Sequence, residues 1–225
     1  MRTTNAAPAM ASGVAALVGR LHQKLFGHPF VYDHIRPLAV GGIDMSPVYA
    51  ALEAGPDDRV LDVGCGTGDA LGYLPPVSAY FGFDTDAVAI ARARQRAARQ
   101  PTLNAQFEAR LLGPDDLGRL APTKVVLAGL LHHLTDTEAR GLFEMLGAVP
   151  SIKRIVTQDV VLLPGRPLNN LLARGDRGRF VRNEPDYPPL AAGTGLRVTR
   201  SWVIRCHPYT GIARYLVMTL EPEAR

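Results

Sequence analysis

The sequence predicts a doubly wound α/β domain whose sheet has seven strands, mostly parallel, with helices on both faces. Short apolar segments alternate with amphipathic segments along most of the chain, as expected for parallel strands joined by crossover helices. The last two apolar segments follow one another with no helix between them. They are therefore expected to pair as an antiparallel hairpin at one edge of the sheet, so that the last strand is antiparallel.

The predicted strands lie, in chain order, at 59–63, 79–83, 105–111, 124–130, 154–161, 197–206 and 212–220. A short helix is predicted to follow the first strand as far as Leu74. A second helix spans 86–100 and can be capped by Thr85 or Asp86. The helix after the fourth strand starts at a capping box formed by Thr135 and Glu138.

Three parts of the chain differ in their pattern of apolar, proline and glycine residues. Residues 1–13 are expected to form a flexible N-terminus. Residues 14–57 are expected to form an N-terminal helical cap, with an amphipathic helix at 14–26 and an irregular segment rich in proline and glycine after it. Residues 58–225 hold all seven predicted strands and form the α/β core.

Composition excludes several classes of protein. Of the 225 residues, 47% are hydrophobic and 20% are charged, which indicates a globular chain and not a fibrous or disordered one. No apolar run approaches the roughly 18 residues that a membrane span needs. Two cysteines are too few for a disulfide scaffold, which fits a reducing cytoplasm. The net charge is +4, but no basic cluster is interleaved with stacking aromatic residues, so we expect no nucleic-acid partner.

The first predicted strand runs into a glycine-rich turn, Val60-Leu-Asp-Val-Gly-Cys-Gly-Thr-Gly68. Its glycines permit a tight turn and let a ligand approach the backbone closely. The G-x-G-x-G spacing differs from the G-x-G-x-x-G of nicotinamide enzymes. Asp62 precedes the turn, where it would repel a pyrophosphate but suit an ammonium group. Cys65 is interpreted as a small packing residue and not as a nucleophile.

This turn resembles the first motif of the class I S-adenosylmethionine-dependent methyltransferases, hydrophobic-hydrophobic-Asp-x-Gly-x-Gly-x-Gly. A second mark of that family is the acid that ends strand two, Asp84 in Tyr80-Phe-Gly-Phe-Asp84-Thr-Asp86. The resemblance implies a Rossmann-like fold, S-adenosylmethionine as methyl donor and S-adenosylhomocysteine as product. It also implies that Asp62 and the turn position the methionine moiety. Asp84 would chelate the ribose hydroxyls, since a carboxylate accepts two hydrogen bonds.

The resemblance covers roughly residues 28–220 and includes the Leu-His-His-Leu segment at 131–134. Arg36 would suit the methionine carboxylate, whereas Tyr32 either closes over the cofactor or fills core beneath the first helix. The sequence departs from the family after strand three, where no acid stands at the position that usually contacts adenine. The predicted cofactor-binding residues are Tyr32, Arg36, Asp62, Gly64, Cys65, Gly66, Gly68, Asp84, Thr85, Gly129 and Leu130.

Candidate catalytic residues follow strands four and five, at the carboxyl edge where ligands bind to such sheets. His132 and His133 follow strand four and Asp159 lies in strand five. A histidine can act as general base, and a carboxylate bonded to its other nitrogen would fix the tautomer. We expect His133 to pair with Asp159, with His132 as the other candidate. Packing or helix capping is the alternative role for either histidine, and no metal site is predicted.

Two further segments are expected near the acceptor. Tyr209, in the turn between the last two strands, would overhang the pocket. Arg177 and Arg179 belong to an arginine-rich stretch after strand five that is expected to form part of a lid. These arginines either pair with neighbouring acids, among them Asp176, Glu184 and Asp186, or steer an anionic acceptor.

The predicted function is methyl transfer from S-adenosylmethionine to a small-molecule acceptor, with an oxygen of a natural product as the favoured target. The alternatives are C- or N-methyl transfer to a small metabolite, a catalytically silent S-adenosylmethionine-binding protein and a nicotinamide oxidoreductase. The sequence indicates neither the acceptor nor the oligomeric state.

Overall fold

The computed structural model describes residues 44–100, 102–176, 178–205 and 211–223. The strands within them are β1 Arg59–Val63, β2 Ala79–Asp84, β3 Ala105–Ala109, β4 Lys124–Ala128, β5 Arg154–Leu162, β6 Arg182–Asn183, β7 Leu196–Arg205 and β8 Arg214–Pro222. They form a sheet of eight strands with the order β3-β2-β1-β4-β5-β8-β7, and β6 pairs with β5 outside this path. Strands β1 to β5 are parallel, while β8 is antiparallel to both β5 and β7.

The predicted doubly wound α/β architecture with an antiparallel last strand is therefore confirmed, and the two-residue β6 is an addition to it. The predicted seven strands correspond to β1–β5, β7 and β8. Strand four was expected to reach Leu130 but ends at Ala128, because Gly129 turns the chain with a φ of 69°. Residues 1–43, with most of the predicted cap, lie outside the described residues.

Helices cover the sheet, and both predicted capping sites are confirmed. Asp86 caps helix α2 (Ala87–Ala97), where its side chain accepts hydrogen bonds from the backbone nitrogens of Val88 and Ala89. Thr135 and Glu138 form the capping box of helix α4 (Asp136–Gly147). The helix expected after the glycine turn is only a 3-10 turn, Asp69–Gly72. The α-helices are α1 Ser46–Leu52, α2 Ala87–Ala97, α3 Pro114–Leu120, α4 Asp136–Gly147 and α5 Pro167–Arg174.

The central strands are buried on both faces, which explains their continuous apolar sequences. In β4, Val125 and Leu127 pack into the core on one side of the sheet, while Val126 packs into the core on the other side. Helix α1, inside the segment expected to be irregular, contributes Tyr49 and Leu52 to the second core. Among the described residues, no helix has the length and hydrophobicity needed to cross a bilayer.

Candidate active site

The glycine turn leaves the carboxyl end of β1 in a conformation that requires glycine. Gly64, Gly66 and Gly68 have φ angles of 79°, 52° and 73°, which side chains with a Cβ rarely adopt. A Cβ on Gly66 would meet no atom of the described residues within 4 Å, whereas one on Gly68 would lie 3.1 Å from the Cβ of Ala93. Gly66 therefore borders open space that a ligand can occupy, while Gly68 permits close packing against α2.

Asp84 lies beside this turn at the end of β2. Its Oδ2 accepts a hydrogen bond from the Gly66 nitrogen at 2.9 Å, and its Oδ1 accepts one from the Asp86 nitrogen at 2.9 Å. Asp84 and its neighbour Thr85 are both partly exposed. The carboxylate therefore holds the glycine turn in place while part of its surface remains accessible to a ligand.

Asp62 is buried at the start of the same turn, with only 2% of its surface exposed. Its Oδ2 accepts a hydrogen bond from the Tyr80 hydroxyl at 2.6 Å, whereas its Oδ1 has no hydrogen-bond partner among the described residues. Burial raises the pKa of Asp62 to about 7, although the Tyr80 hydrogen bond opposes this change. A buried oxygen without a donor is costly, so a cationic ligand group would stabilise this site.

Cys65 and Leu130 line the turn as packing residues. Cys65 is buried, and burial together with nearby acids raises the pKa of its thiol, which disfavours the reactive thiolate. Leu130 is buried after β4, and its Cδ1 would lie 3.6 Å from a Cβ placed on Gly64. Gly129, the residue before Leu130, donates a hydrogen bond from its backbone nitrogen to the backbone oxygen of Gln158 at 2.6 Å.

The structure thus brings the predicted cofactor residues of β1, β2 and β4 to one edge of the sheet. Tyr32 and Arg36 lie outside the described residues. Sequence reasoning missed Tyr80, which satisfies one oxygen of Asp62. The available signal was a tyrosine in a buried strand next to a buried acid, since a buried phenol usually finds a hydrogen-bond partner.

Asp159 pairs with His132, so the expected pairing of Asp159 with His133 is wrong. The Nδ1 of His132 lies 2.7 Å from Asp159 Oδ1, and the His132 backbone nitrogen donates to the same oxygen at 3.1 Å. Residues Leu131–His133 form a 3-10 turn, in which neighbouring side chains point in different directions. His132 consequently faces β5, and the His133 ring packs on it with ring centroids 4.2 Å apart.

His132 is enclosed on its other side by the loop that follows α5. Its Nε2 lies 3.1 Å from Asp176 Oδ1, its carbonyl oxygen accepts from the Phe180 nitrogen at 3.0 Å, and a Cβ on Gly178 would clash with its ring. Burial lowers the pKa of His132, but hydrogen bonding to Asp159 and contact with Asp176 outweigh this effect and raise it to about 9. Within the described residues the His132 ring is therefore completely buried.

The arginine-rich stretch contains one structural anchor that the sequence did not distinguish. The Arg182 side chain is buried and donates hydrogen bonds to the carbonyl oxygens of Leu131 and Leu134 and to Asp136. It therefore fastens the loop after α5 to the turn after β4. Arg179 is exposed, and Arg177 and Tyr209 lie outside the described residues.

Comparison with known proteins agrees with this geometry. Residues 60–149 match the family model described as "Methyltransferase domain". A 23S rRNA (uracil(1939)-C(5))-methyltransferase of Xanthomonas campestris pv. campestris (strain 8004) is 38% identical over 147 residues, which are 64% of this chain and 30% of that protein. The corresponding enzyme of Stenotrophomonas maltophilia (strain K279a) is 37% identical over 145 residues, again 30% of its length. The chain thus matches less than a third of these relatives.

Two solved structures share the fold at low sequence identity. The 1,6-didemethyltoxoflavin-N1-methyltransferase of Burkholderia thailandensis, with bound S-adenosylhomocysteine, has a TM-score of 0.65 and 19% identity over 100% of this chain and 94% of that chain. The magnesium protoporphyrin IX methyltransferase of Synechocystis PCC 6803 has a TM-score of 0.58 and 17% identity over 94% and 95% of the two chains. Given these matches, residues 60–149 carry a methyltransferase domain, and the sheet has the fold of S-adenosylmethionine-dependent methyltransferases.

Proposed function

We propose that this chain transfers the methyl group of S-adenosylmethionine to an oxygen or nitrogen atom of a small-molecule acceptor. The observation that carries the proposal is the buried Asp62 Oδ1, which has no hydrogen-bond partner in the part of the chain that the structure describes. It lies next to three left-handed glycines and to the turn that Asp84 holds. These residues fit a ligand with three chemical features. The features are a cationic ammonium group, a chain that can approach the protein backbone closely, and a vicinal diol.

Each group has a distinct role in this proposal. Asp62 binds the ammonium group, the open space at Gly66 accommodates the methionine chain and Asp84 accepts hydrogen bonds from the ribose hydroxyls. S-adenosylmethionine supplies a methyl group already activated by its sulfonium. The chain's own task is therefore to align an acceptor with that methyl group and to exclude water.

A small acceptor is favoured over RNA because the chain itself covers the edge where the acceptor must enter. The loop after α5 lies on the turn after β4, held by Arg182, by the bond from the Phe180 nitrogen to the His132 oxygen and by the pairing of β6 with β5. The rRNA-modifying relatives supply the competing hypothesis. Carbon 5 of uracil is a weak nucleophile that needs covalent activation. Cys65 is buried, and Cys206 lies outside the described residues.

The position of the His132–Asp159 pair indicates which kind of oxygen or nitrogen nucleophile the acceptor should carry. Both ring nitrogens of His132 face carboxylates, and the ring is completely buried. Deprotonation of an ordinary alcohol by this pair is therefore not supported. An acidic hydroxyl or a ring nitrogen, which loses its proton without such help, is the more suitable nucleophile. General-base catalysis by His133 stays a prediction.

Binding and transfer are tested separately. Calorimetric titration with S-adenosylmethionine and with NADH should show binding of the first alone. Gly66→Val should abolish that binding, since its side chain would fill the ligand space. Gly193→Val is the matched control, because Gly193 is exposed, has a φ of 73°, and a Cβ there would meet no atom of the described residues within 4 Å. Binding of NADH in place of S-adenosylmethionine would refute the proposal.

Transfer is then followed with methyl-labelled donor offered to two pools, a small-metabolite extract and total RNA. We expect label in the metabolite pool, on a phenolic oxygen or a ring nitrogen. Label found in RNA alone would overturn the choice of acceptor, and cofactor binding without labelling of either pool would favour the catalytically silent alternative.

A further inference from the structure

We propose that His132, His133 and Asp176 form a binding site for a divalent transition metal, with Zn²⁺ as the best match. The site joins the turn after β4 to the loop after α5. Each residue offers one ligand atom, and the three atoms lie within 4.8 Å of one another. Two imidazoles and one carboxylate are a donor set typical of zinc, and a water molecule can complete a tetrahedral site.

The orientation of His132 supports metal binding. Its Nδ1 is held by Asp159 at 2.7 Å, which is the arrangement by which proteins commonly direct the other ring nitrogen toward a metal. That other nitrogen, Nε2, is completely buried and makes no hydrogen bond within the described residues. A buried polar atom of this kind needs a partner, and a metal ion would supply one.

The contact between His132 and Asp176 has the spacing of two ligands and not the alignment of a hydrogen bond. Their atoms Nε2 and Oδ1 are 3.1 Å apart, yet the ring nitrogen is not directed at that oxygen closely enough to hydrogen-bond to it. Two ligand atoms at about 2.0–2.1 Å from a tetrahedral zinc are separated by about 3.3 Å. The Asp176 carboxylate is held in position by the Gly178 nitrogen, which donates to Oδ1 at 3.1 Å.

Charge balance also favours a divalent cation. Asp159 and Asp176 bring two carboxylates to one fully buried imidazole, and their side chains are only 2% and 5% exposed. A protonated histidine offsets one of these negative charges, whereas a divalent ion beside a neutral histidine offsets both. Leaving a buried charge uncompensated is costly, and metal binding would release the competing proton.

The metal would fasten the loop after α5 to the edge of the sheet. Its ligands come from two segments that are far apart in the chain, so binding would cross-link them. His133 is only partly buried, which gives the ion a route to the site. The His133 nitrogen that binds the metal could not also accept a proton from an acceptor, because its lone pair is used in the bond to the metal. The site would therefore give this histidine a structural role.

The experiment uses the full-length, untagged chain after dialysis against a chelator. Zn²⁺ alone should bind with one equivalent per chain, measured by elemental analysis after gel filtration. Co²⁺ in its place should give the visible absorption of a tetrahedral site. Cofactor affinity is measured in parallel and should not change, so failure here is distinguishable from failure of the methyltransferase proposal.

Two variants test the ligands without removing the buried histidine. His133→Gln and Asp176→Asn should each weaken Zn²⁺ binding by about tenfold or more, and Asp176→Asn keeps an oxygen for the Gly178 nitrogen. Asp57→Asn and Asp115→Asn, which change exposed acids that are not among the proposed ligands, are the controls and should bind Zn²⁺ like the wild type. Less than one equivalent of zinc in the wild type, or unchanged affinity in both ligand variants, would overturn the proposal.

Discussion

Affinity for S-adenosylmethionine should increase between pH 5.5 and pH 7.0, because the carboxylate proposed to bind its ammonium group titrates in that range. Burial raises the pKa of Asp62 to about 7. The ionised fraction then rises from about 3% at pH 5.5 to about 50% at pH 7.0. If only the ionised form binds the ammonium, the apparent affinity rises by about fifteenfold, or about 1.6 kcal/mol.

The direction of this pH dependence follows from the titration of Asp62 and from that of the α-amino group of the ligand. Above its own pKa, Asp62 is an anion that attracts the ligand, and below it the protonated acid has no charge to offer. An α-amino group has a usual pKa of about 7.7–8.0, so the ligand remains cationic throughout this window. Binding should therefore strengthen as pH rises, and it should weaken as pH falls below the pKa of Asp62.

Calorimetric titration at constant ionic strength measures the effect, and two variants assign it. Asp62→Asn keeps an acceptor for the Tyr80 hydroxyl, yet it should bind more weakly and show no pH dependence in this window. Tyr80→Phe removes the hydrogen bond that lowers the pKa of Asp62, so it should move the profile to higher pH. A flat wild-type profile, with Asp62→Asn binding equally well, would refute the ammonium assignment.

Three further substitutions test other parts of the site. Asp84→Ala should weaken cofactor binding at least about tenfold, or about 1.4 kcal/mol. Asp84→Asn should lose less affinity because it keeps one acceptor oxygen. Titration curves of both variants equal to that of the wild type would show that the ribose is bound elsewhere. Arg182→Gln should lower the free energy of unfolding by roughly 2–3 kcal/mol in urea, since the Leu131 and Leu134 carbonyls lose their donor. Asp136→Asn, at the exposed end of the same ion pair, should cost less than about 1 kcal/mol, and a reversed order would contradict the anchoring role of Arg182. Arg179→Gln should raise the Michaelis constant for an anionic acceptor, more so at low salt; no change at any ionic strength would indicate an uncharged acceptor.

The sequence alone determined those features that depend on neighbours along the chain. Alternating apolar segments, the capping box at Thr135 and the glycine turn at 64–68 were all predicted, and the structure contains them. Such patterns depend on backbone sterics, on local hydrogen bonds and on the transfer of apolar side chains out of water. The same local signals placed Asp62 and Asp84 at the ends of adjacent strands, and the pairing of β1 with β2 brings them to one edge.

Tertiary structure alone decided which side chains meet across that edge. From the sequence, His133 was favoured over His132 as the partner of Asp159, and the arginines of the stretch after strand five could not be ranked. These are Arg174, Arg177, Arg179 and Arg182. The 3-10 turn after β4 directs His132 toward β5, and the loop that returns over it selects Arg182 as the anchor. Beyond the end of a strand, the partners of a side chain depend on which distant segment of the chain covers it. The helical and strand periodicities of the sequence describe only neighbours along the chain, so they do not predict that contact.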